Sequence, residues 1–305
     1  MKALVTGGAG FIGSHIVDKL LSLEWEVIVI DNESAASNEG FYWNDGAHNY
    51  KYDICEYEKI SPLFEDVDIV FHLAAESRIQ PAIENPIQAS KTNVVGTCCV
   101  LQCARERGVK RVIYSSTSSA YGVVNEPPLQ EEMLRDCLNP YSVTKCAGED
   151  LCAMYTKLFG LETVIFRYFN VYGERQPLQG QYAPVVGIFL RQTDDNEPMT
   201  IVGDGKQRRD FTHVSDVVES NVLAALSTNT KIVGEIINIG NGKNYSILEV
   251  SQLIGDDYIY IPPRLGESRV TLADTRRAQT WLGWKPTTSL DTWIKKQLTK
   301  RRKKL

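Results

Sequence analysis

Tyr141 and Lys145 stand four residues apart near the start of an apolar-periodic stretch that follows Asn139-Pro140. On a helix, that spacing turns both side chains the same way. A free phenol ionises near pH ~10, too high for a base at neutral pH, but an ammonium beside it and the positive end of a helix favour the phenolate. Moving the equilibrium by about three units takes roughly 4 kcal/mol. Upstream, Ser115, Ser116, Thr117, Ser118 and Ser119 follow an apolar run at 111–115. Hydroxyls at the carboxyl end of a strand can bond a substrate alcohol and pass on its proton. Taken alone, the Tyr/Lys pair reads more readily as a surface pair on an amphipathic helix, and each serine as part of a turn.

A second constellation opens the chain. Gly7, Gly8 and Gly10 separate a short apolar run at 2–5 from a helical pattern running from Phe11 towards Leu23, with Gly13 one turn in. Such a turn aims free N–H groups at an anion and leaves no side chain in its way, as the pyrophosphate of a dinucleotide requires. By itself it reads equally as a tight strand-to-helix turn. The next apolar run, 26–30, ends in Asp31, eighteen residues past Gly13. A carboxylate there can hold a ribose diol and would repel a 2′-phosphate, which favours NAD over NADP.

These groups need elements to hold them. Strand-like runs at 49–53, 69–73, 111–115 and 162–167 alternate with helical patterns at 58–64, 92–107 and 139–160, the last two ending at Gly108 and Gly160. The alternation predicts a doubly wound parallel α/β sheet of the NAD-binding Rossmann kind. From about Asn170 the regularity breaks. Loops at 173–180 precede helical stretches at 185–191, 214–227, 246–254, 275–282 and 289–298, with strands at 199–202, 235–239 and 258–261. The expectation is a Rossmann domain over 1–169. Residues 170–305 then form mainly a smaller α/β substrate lobe on the sheet's carboxyl edge, with some segments returning to the first domain.

Composition bounds the rest. The 305 residues can bury a substantial core, and 43% hydrophobic with 23% charged residues describe an ordinary soluble protein. A net charge of −5 argues against a general nucleic-acid binder. Lys295, Lys296, Lys300, Arg301, Arg302, Lys303 and Lys304 crowd the end of the chain and read as a solvated tail. No apolar run reaches the ~20 residues that span a membrane, and the chain enters a strand without a signal peptide. Seven cysteines without metal-type spacing point to a reducing cytoplasm, with no metal site.

In order along the chain come Thr6-Gly-Gly-Ala-Gly-Phe-Ile-Gly13, His72-Leu-Ala-Ala75, Asn93 in Asn-Val-Val-Gly-Thr, Tyr141-x-x-x-Lys145 and Arg167-Tyr-Phe-Asn170. Together they resemble the extended short-chain dehydrogenase/reductase family, specifically its nucleotide-sugar branch, over nearly the whole chain. The resemblance implies that Gly7, Gly10, Phe11 and Ile12 hold the cofactor pyrophosphate, Asp31 and Asn32 the adenosine ribose, and Asp53 and Ile54 the adenine. Leu73, Ala74 and Ala75 would line the cofactor's path, Asn93 would support the active-site backbone, and Ser115, Tyr141, Lys145 and Tyr168 would surround the nicotinamide half. For the sugar nucleotide it implies Ser77, Arg78, Thr117, Asn170, Pro184, Val185, Thr200, Arg209, Arg264, Glu267 and Thr271. Arg209 and Arg264 would sit on the diphosphate, where the guanidinium fork suits paired oxygens, although either alone reads as a surface salt bridge. A homodimer through the helices at 92–107 and 139–160 is the family's usual assembly.

Relatives that dehydrate carry Asp-Glu after the active-site threonine, and relatives that decarboxylate keep the glutamate. Ser118 and Ser119 stand there instead and supply no carboxylate acid/base chemistry. The expectation is therefore 4-epimerisation of a UDP-sugar by NAD-dependent, reversible hydride transfer at C4 through a 4-keto sugar. Thr271 stands where a bulky tyrosine goes with unsubstituted hexoses, so a small residue leaves room for UDP-GlcNAc/UDP-GalNAc and a place in polysaccharide biosynthesis. The segment Ala75-Glu76-Ser77-Arg78 also resembles dehydratases. A nucleotide-sugar 4,6-dehydratase, an enzyme acting on UDP-glucuronate and a non-enzymatic NAD sensor are the alternatives.

Overall fold

The computed structural model describes residues 1–35, 40–178, 183–263 and 268–302. Its central sheet has seven strands: β1 (Lys2–Thr6), β2 (Glu26–Ile30), β3 (His48–Tyr50), β4 (Ile69–His72), β5 (Arg111–Thr117), β6 (Glu162–Tyr168) and β7 (Glu235–Ile239). Across the sheet they run β7-β6-β5-β4-β1-β2-β3, every neighbouring pair parallel. Strands buried on both faces need continuous apolar runs, which is why β1, β2 and β4 read Ala-Leu-Val, Val-Ile-Val-Ile and Ile-Val-Phe. The order reverses between β1 and β4. There the carboxyl ends splay into a crevice, and the glycine turn after β1 lies at its mouth.

Helices cover both faces. On one, α1 (Phe11–Ser22) packs with Val214–Leu226 and Arg276–Leu282 over Val5, Ile16, Leu20, Phe166, Val217, Ile237 and Trp284. On the other, α2 (Thr97–Glu106) and α3 (Pro140–Phe159) close over Leu4, Val70, Leu101, Tyr114, Cys152 and Tyr155. Each such aliphatic side chain contributes about 1.5–3 kcal/mol when fully buried. A third core, built on Tyr172, Phe189, Ile201, Val250, Trp293 and Ile294, lies beyond the sheet. It is enclosed by Val185–Asp194, Ile247–Ile254 and Leu290–Arg302, and by Met199–Val202 paired in parallel with Tyr258–Ile261. The fold is thus a doubly wound parallel α/β sheet with a smaller C-terminal lobe, as the alternation of elements predicts.

Three elements differ from the sequence expectation. The strand expected at 49–53 is only His48–Tyr50, because Asp53 turns its carboxylate onto the Cys55 N–H, 2.8 Å, and ends the extended run. The helix expected at 58–64 is an α-turn, Tyr57–Ile60, tightened into a 3₁₀ turn, Ser61–Phe64, where Pro62 cannot continue the hydrogen-bond ladder. The helix expected from 92 begins earlier. Asn85 caps Pro86–Ser90, a wide π-turn follows at Lys91–Gly96, and α2 then continues. That π-turn holds Asn93, fully buried, at the depth of the crevice.

The glycine turn is as tight as the sequence implies. Gly7 has φ +68°, and a Cβ there would lie 2.7 Å from the Ala74 amide nitrogen. A methyl group on Gly13 would overlap the carbonyl oxygen of Gly7 and approach the Gly8 Cα at 2.8 Å. All of these neighbours are backbone, so the turn must open to admit it. Gly13→Ala is expected to destabilise the protein by about 2–3 kcal/mol and to weaken NAD binding. Denaturant melts with and without NAD check both effects.

Candidate active site

A cleft of about 490 Å³ runs along the carboxyl ends of the strands, between the sheet and the C-terminal lobe. Thr117 ends β5, and Tyr141 and Lys145 occupy the first turns of α3. Asn139 caps that helix: its side chain accepts from Ser142 N–H at 2.9 Å, Ser142 Oγ sits 3.3 Å from the Asn139 N–H, and Pro140 fills the first position. The cap fixes the angle at which Tyr141 enters the cleft. All three side chains line it, and Thr117 is hydrogen-bonded to the Tyr141 hydroxyl.

Electrostatics at the trio are set by burial. Lys145 is 2% exposed, with its ammonium 4.2 Å from the centroid of the Tyr114 ring, and desolvation brings its pKa down to about 8. Burial also pushes the Tyr141 phenol above its ordinary value, while the Thr117 hydrogen bond and the Arg78 charge pull it down. The protein alone therefore keeps Tyr141 protonated. The phenolate expected from the sequence needs a further positive charge facing the ring, because here desolvation outweighs the Thr117 hydrogen bond and the Arg78 charge.

At the other end of the cleft lie Gly7, Gly10, Phe11, Ile12, Asp31, Asn32 and Ile54, with Leu73, Ala74 and Ala75 between the two ends and Ser115 and Tyr168 beside the trio. Helix α1 has no side-chain cap at Gly10 and no acidic residue in its first turn, so its leading N–H groups face the cleft. Asp31 is held by the N–H groups of Ala9 at 3.1 Å and Glu33 at 2.8 Å, and burial raises its pKa. A turn without side chains, uncapped amides and a fixed carboxylate suit a dinucleotide's pyrophosphate and ribose. Tyr168 takes Asn221 Nδ2 at 2.8 Å and Ser115 Oγ at 3.3 Å. Asp53, expected at the adenine, and Asn93, expected to support the backbone, both stand behind the wall. Asp53 bonds the Asn32 amide at 3.3 Å and does not reach the cleft, because its other oxygen is taken by Cys55. Asn93 accepts from the Glu76 N–H and donates to the Glu76 carbonyl and Thr144, at 2.8, 3.0 and 2.9 Å. It ties the segment carrying Ser77 and Arg78 to α3.

The residues expected to meet a sugar nucleotide come mainly from the C-terminal part of the chain. Asn170, Pro184, Val185, Thr200, Arg209 and Thr271 line the cleft opposite Ser77, Arg78 and Thr117; Arg264 and Glu267 lie outside the described residues. Asn170 has φ +24° and donates to the Asp210 carbonyl at 2.9 Å. Asp210, fully buried, receives the N–H groups of Asn241, Gly242 and Ala273 at 2.6, 2.9 and 3.0 Å, and burial pushes its pKa up to about 6. It knots three loops beneath Thr271. Asp210 directly follows Arg208 and Arg209, and nothing in its spacing separated it from them. Phe41, Tyr52, Leu138 and Gln207 also line the cleft, and no periodicity marked them. Asp31, at the far end, is the one carboxylate among the described lining residues, against Arg78, Lys145 and Arg209.

A Rossmann sheet with a Tyr/Lys pair at its carboxyl edge defines an enzyme class that removes hydride from an alcohol. The comparisons carry this further. The description "NAD dependent epimerase/dehydratase family" matches residues 3–240, and the chain belongs to that family, with NAD as its cofactor. A Methanocaldococcus jannaschii protein, provisionally named a UDP-glucose 4-epimerase, is 39% identical over 96% of each chain. The Thermotoga maritima UDP-glucose 4-epimerase structure with UDP-glucose is 36% identical, superposes with TM-score 0.93 and covers 100% of this chain and 99% of that one. The UDP-N-acetylglucosamine 4-epimerase of Methanobrevibacter ruminantium, in complex with UDP-N-acetylmuramic acid, is 29% identical with TM-score 0.91 and coverage of 100% and 99%. Among the described residues no helix is long and apolar enough to cross a membrane, and no metal-type cluster occurs.

Proposed function

We propose that this protein interconverts UDP-sugars at C4, acting on UDP-GlcNAc and UDP-GalNAc and also accepting UDP-glucose. The observation that carries this is the make-up of the reacting end of the cleft. It has a proton-transfer pair, Thr117 and Tyr141, backed by Lys145, and no carboxylate among the described residues that line it. Dehydration needs groups that move a second proton and expel water; Ser118 and Ser119 cannot do so. Epimerisation needs one alcohol deprotonated and reprotonated, which Tyr141 Oη does through Thr117. Bound NAD would supply the hydride acceptor, and its nicotinium ring would add the positive charge that Tyr141 needs. Gly7, Gly10, Phe11 and Ile12 would hold its pyrophosphate, Asp31 and Asn32 its ribose, and Ile54 its adenine. Asn170, Arg209, Pro184, Val185 and Thr200 would hold the UDP, with Arg264 and Glu267 adding their contacts.

Room for a 2-acetamido group rests on Thr271, whose hydroxyl bonds Asn170 Nδ2 at 3.5 Å and the Asp210 N–H at 3.3 Å and so stays folded against the wall. Thr271→Tyr is expected to lower kcat/KM for UDP-GlcNAc about 100-fold while sparing UDP-glucose, since a pocket discriminates on bulk by a few kcal/mol. Paired kinetics on the two sugars check it. A second reading follows from Arg78, whose Nε is buried without a hydrogen-bond partner at the cleft wall. A guanidinium so placed suits a sugar carboxylate, which favours UDP-glucuronate. Proton NMR of the protein with UDP-GlcNAc, UDP-glucose and UDP-glucuronate in separate tubes decides among them. A new axial C4 hydroxyl names the sugar, and a 4-keto-6-deoxy product would overturn the proposal. Val95, Val143, Met154 and Leu158, exposed along the π-turn and α3, support a homodimer through these helices, which light scattering tests.

A further inference from the structure

The segment that carries Tyr141 and Lys145 is bracketed by two cysteines. Cys137 lies two residues before the Asn139 cap and is half-buried; Cys146 follows Lys145 on α3 and is 5% exposed. Both thiols are free, and their sulfurs are 3.4 Å apart. A disulfide needs about 2.05 Å, so the bond forms when the sulfurs close by roughly 1.4 Å. Neither residue lines the cleft, but Leu138 and Asn139 between them do. On the inner side, Cys146 faces Glu149, whose oxygens are already bonded to Ser116 and Arg167.

We propose that Cys137 and Cys146 are a redox site that closes a disulfide around the catalytic tyrosine and lysine and turns the enzyme down. The oxidant is a disulfide such as oxidised glutathione. The Cys137 thiolate attacks one of its sulfurs and releases a glutathione thiol. Cys146 then attacks the mixed disulfide and releases the second, so two protein thiols become one disulfide and one glutathione disulfide becomes two thiols. Cys137, being partly exposed, is the entry point. Burial and the Glu149 charge hold the Cys146 thiol protonated, which makes the second step the slow one. Closure draws 137–139 toward α3 and shifts the cap that orients Tyr141. A displacement of about 1 Å at reacting groups costs up to 10²-fold in rate.

The functional half of this proposal rests on the epimerase reading; the chemical half does not. The test treats the NAD-loaded protein with oxidised glutathione, blocks remaining thiols with N-ethylmaleimide and digests with trypsin, which cuts after Arg135, Lys145 and Lys157. Expected is a peptide 136–145 joined to 146–157 through Cys137 and Cys146 and lighter by two hydrogens. A fall in turnover of at least about tenfold should accompany it, restored by dithiothreitol and absent in Cys137→Ser. Cys137 and Cys146 both recovered as blocked thiols, or Cys137 joined to Cys152 instead, would overturn the site. The cross-link without loss of turnover would overturn its effect on the enzyme. A reduced protein inactive on every UDP-sugar, yet still forming the cross-link, would count against the epimerase reading and leave the redox site standing.

Discussion

Replacing Tyr141 with phenylalanine should lower kcat by about 10³-fold while leaving KM for the UDP-sugar within a few-fold of the parent, because it removes the one atom that takes and returns the proton. The helix cap depends on Asn139 and Ser142, so the fold loses little more than the Thr117 hydrogen bond, about 1 kcal/mol. Steady-state kinetics alongside a thermal melt separate the two effects. Unchanged turnover would remove the proposed mechanism and favour an NAD sensor. The parent enzyme should also lose activity as pH rises through about 8, since desolvation lowers the Lys145 pKa to that value and its ammonium supports the phenolate only while protonated. A kcat profile with no alkaline fall between pH 7 and 10 would show that Lys145 is charged, or dispensable, throughout.

Glu149→Gln should cost about 3–5 kcal/mol of stability. Glu149 and Arg167 are 0% and 1% exposed and form a two-pronged pair, Nε to Oε1 at 2.8 Å and Nη2 to Oε2 at 2.7 Å. Ser116 Oγ donates to the same carboxylate at 2.5 Å, and the guanidinium carbon lies 4.6 Å from the centroid of the Tyr121 ring. Neutralising one partner leaves the other charge in a low dielectric with nothing to balance it. With Ser116 the pair also ties α3, the helix that carries Tyr141, to β5 and β6, so the variant should lose turnover as well as melting temperature. Urea unfolding measures the first loss; a midpoint within 1 M of the parent would mean that water reaches the pair.

Much of the architecture was legible because burial on both faces of a parallel strand leaves an apolar run that cannot be mistaken for a solvent-facing one. The runs at 26–30, 69–73 and 111–115 are cases in point. The trio was legible for a different reason: Asn139-Pro140 marks the helix start, and helix geometry then fixes the relation of Tyr141 to Lys145. What escaped was set by contacts far along the chain. The π-turn around Asn93 exists to reach Glu76 and Thr144, and no local propensity encodes that. Asp210 gathers N–H groups from residues 31 to 63 positions away, so its burial was invisible in the residues around it. The raised pKa of Tyr141 likewise came from desolvation, which a four-residue spacing cannot report.

The edge strand β7 comes from beyond the point where the C-terminal lobe begins, and it pairs with β6 along five residues from Glu235 to Ile239. The helix before it, Val214–Leu226, lies against α1 at the opposite end of the sequence. A chain ending after Phe169 would therefore expose the bare backbone edge of β6 and the apolar flank of α1 together, inviting strand addition from another copy. The two halves are interlaced, so their boundary is no seam at which this protein could be recombined with a relative's lobe as an exchangeable cassette. Change in the sugar site has to come residue by residue within an unbroken frame.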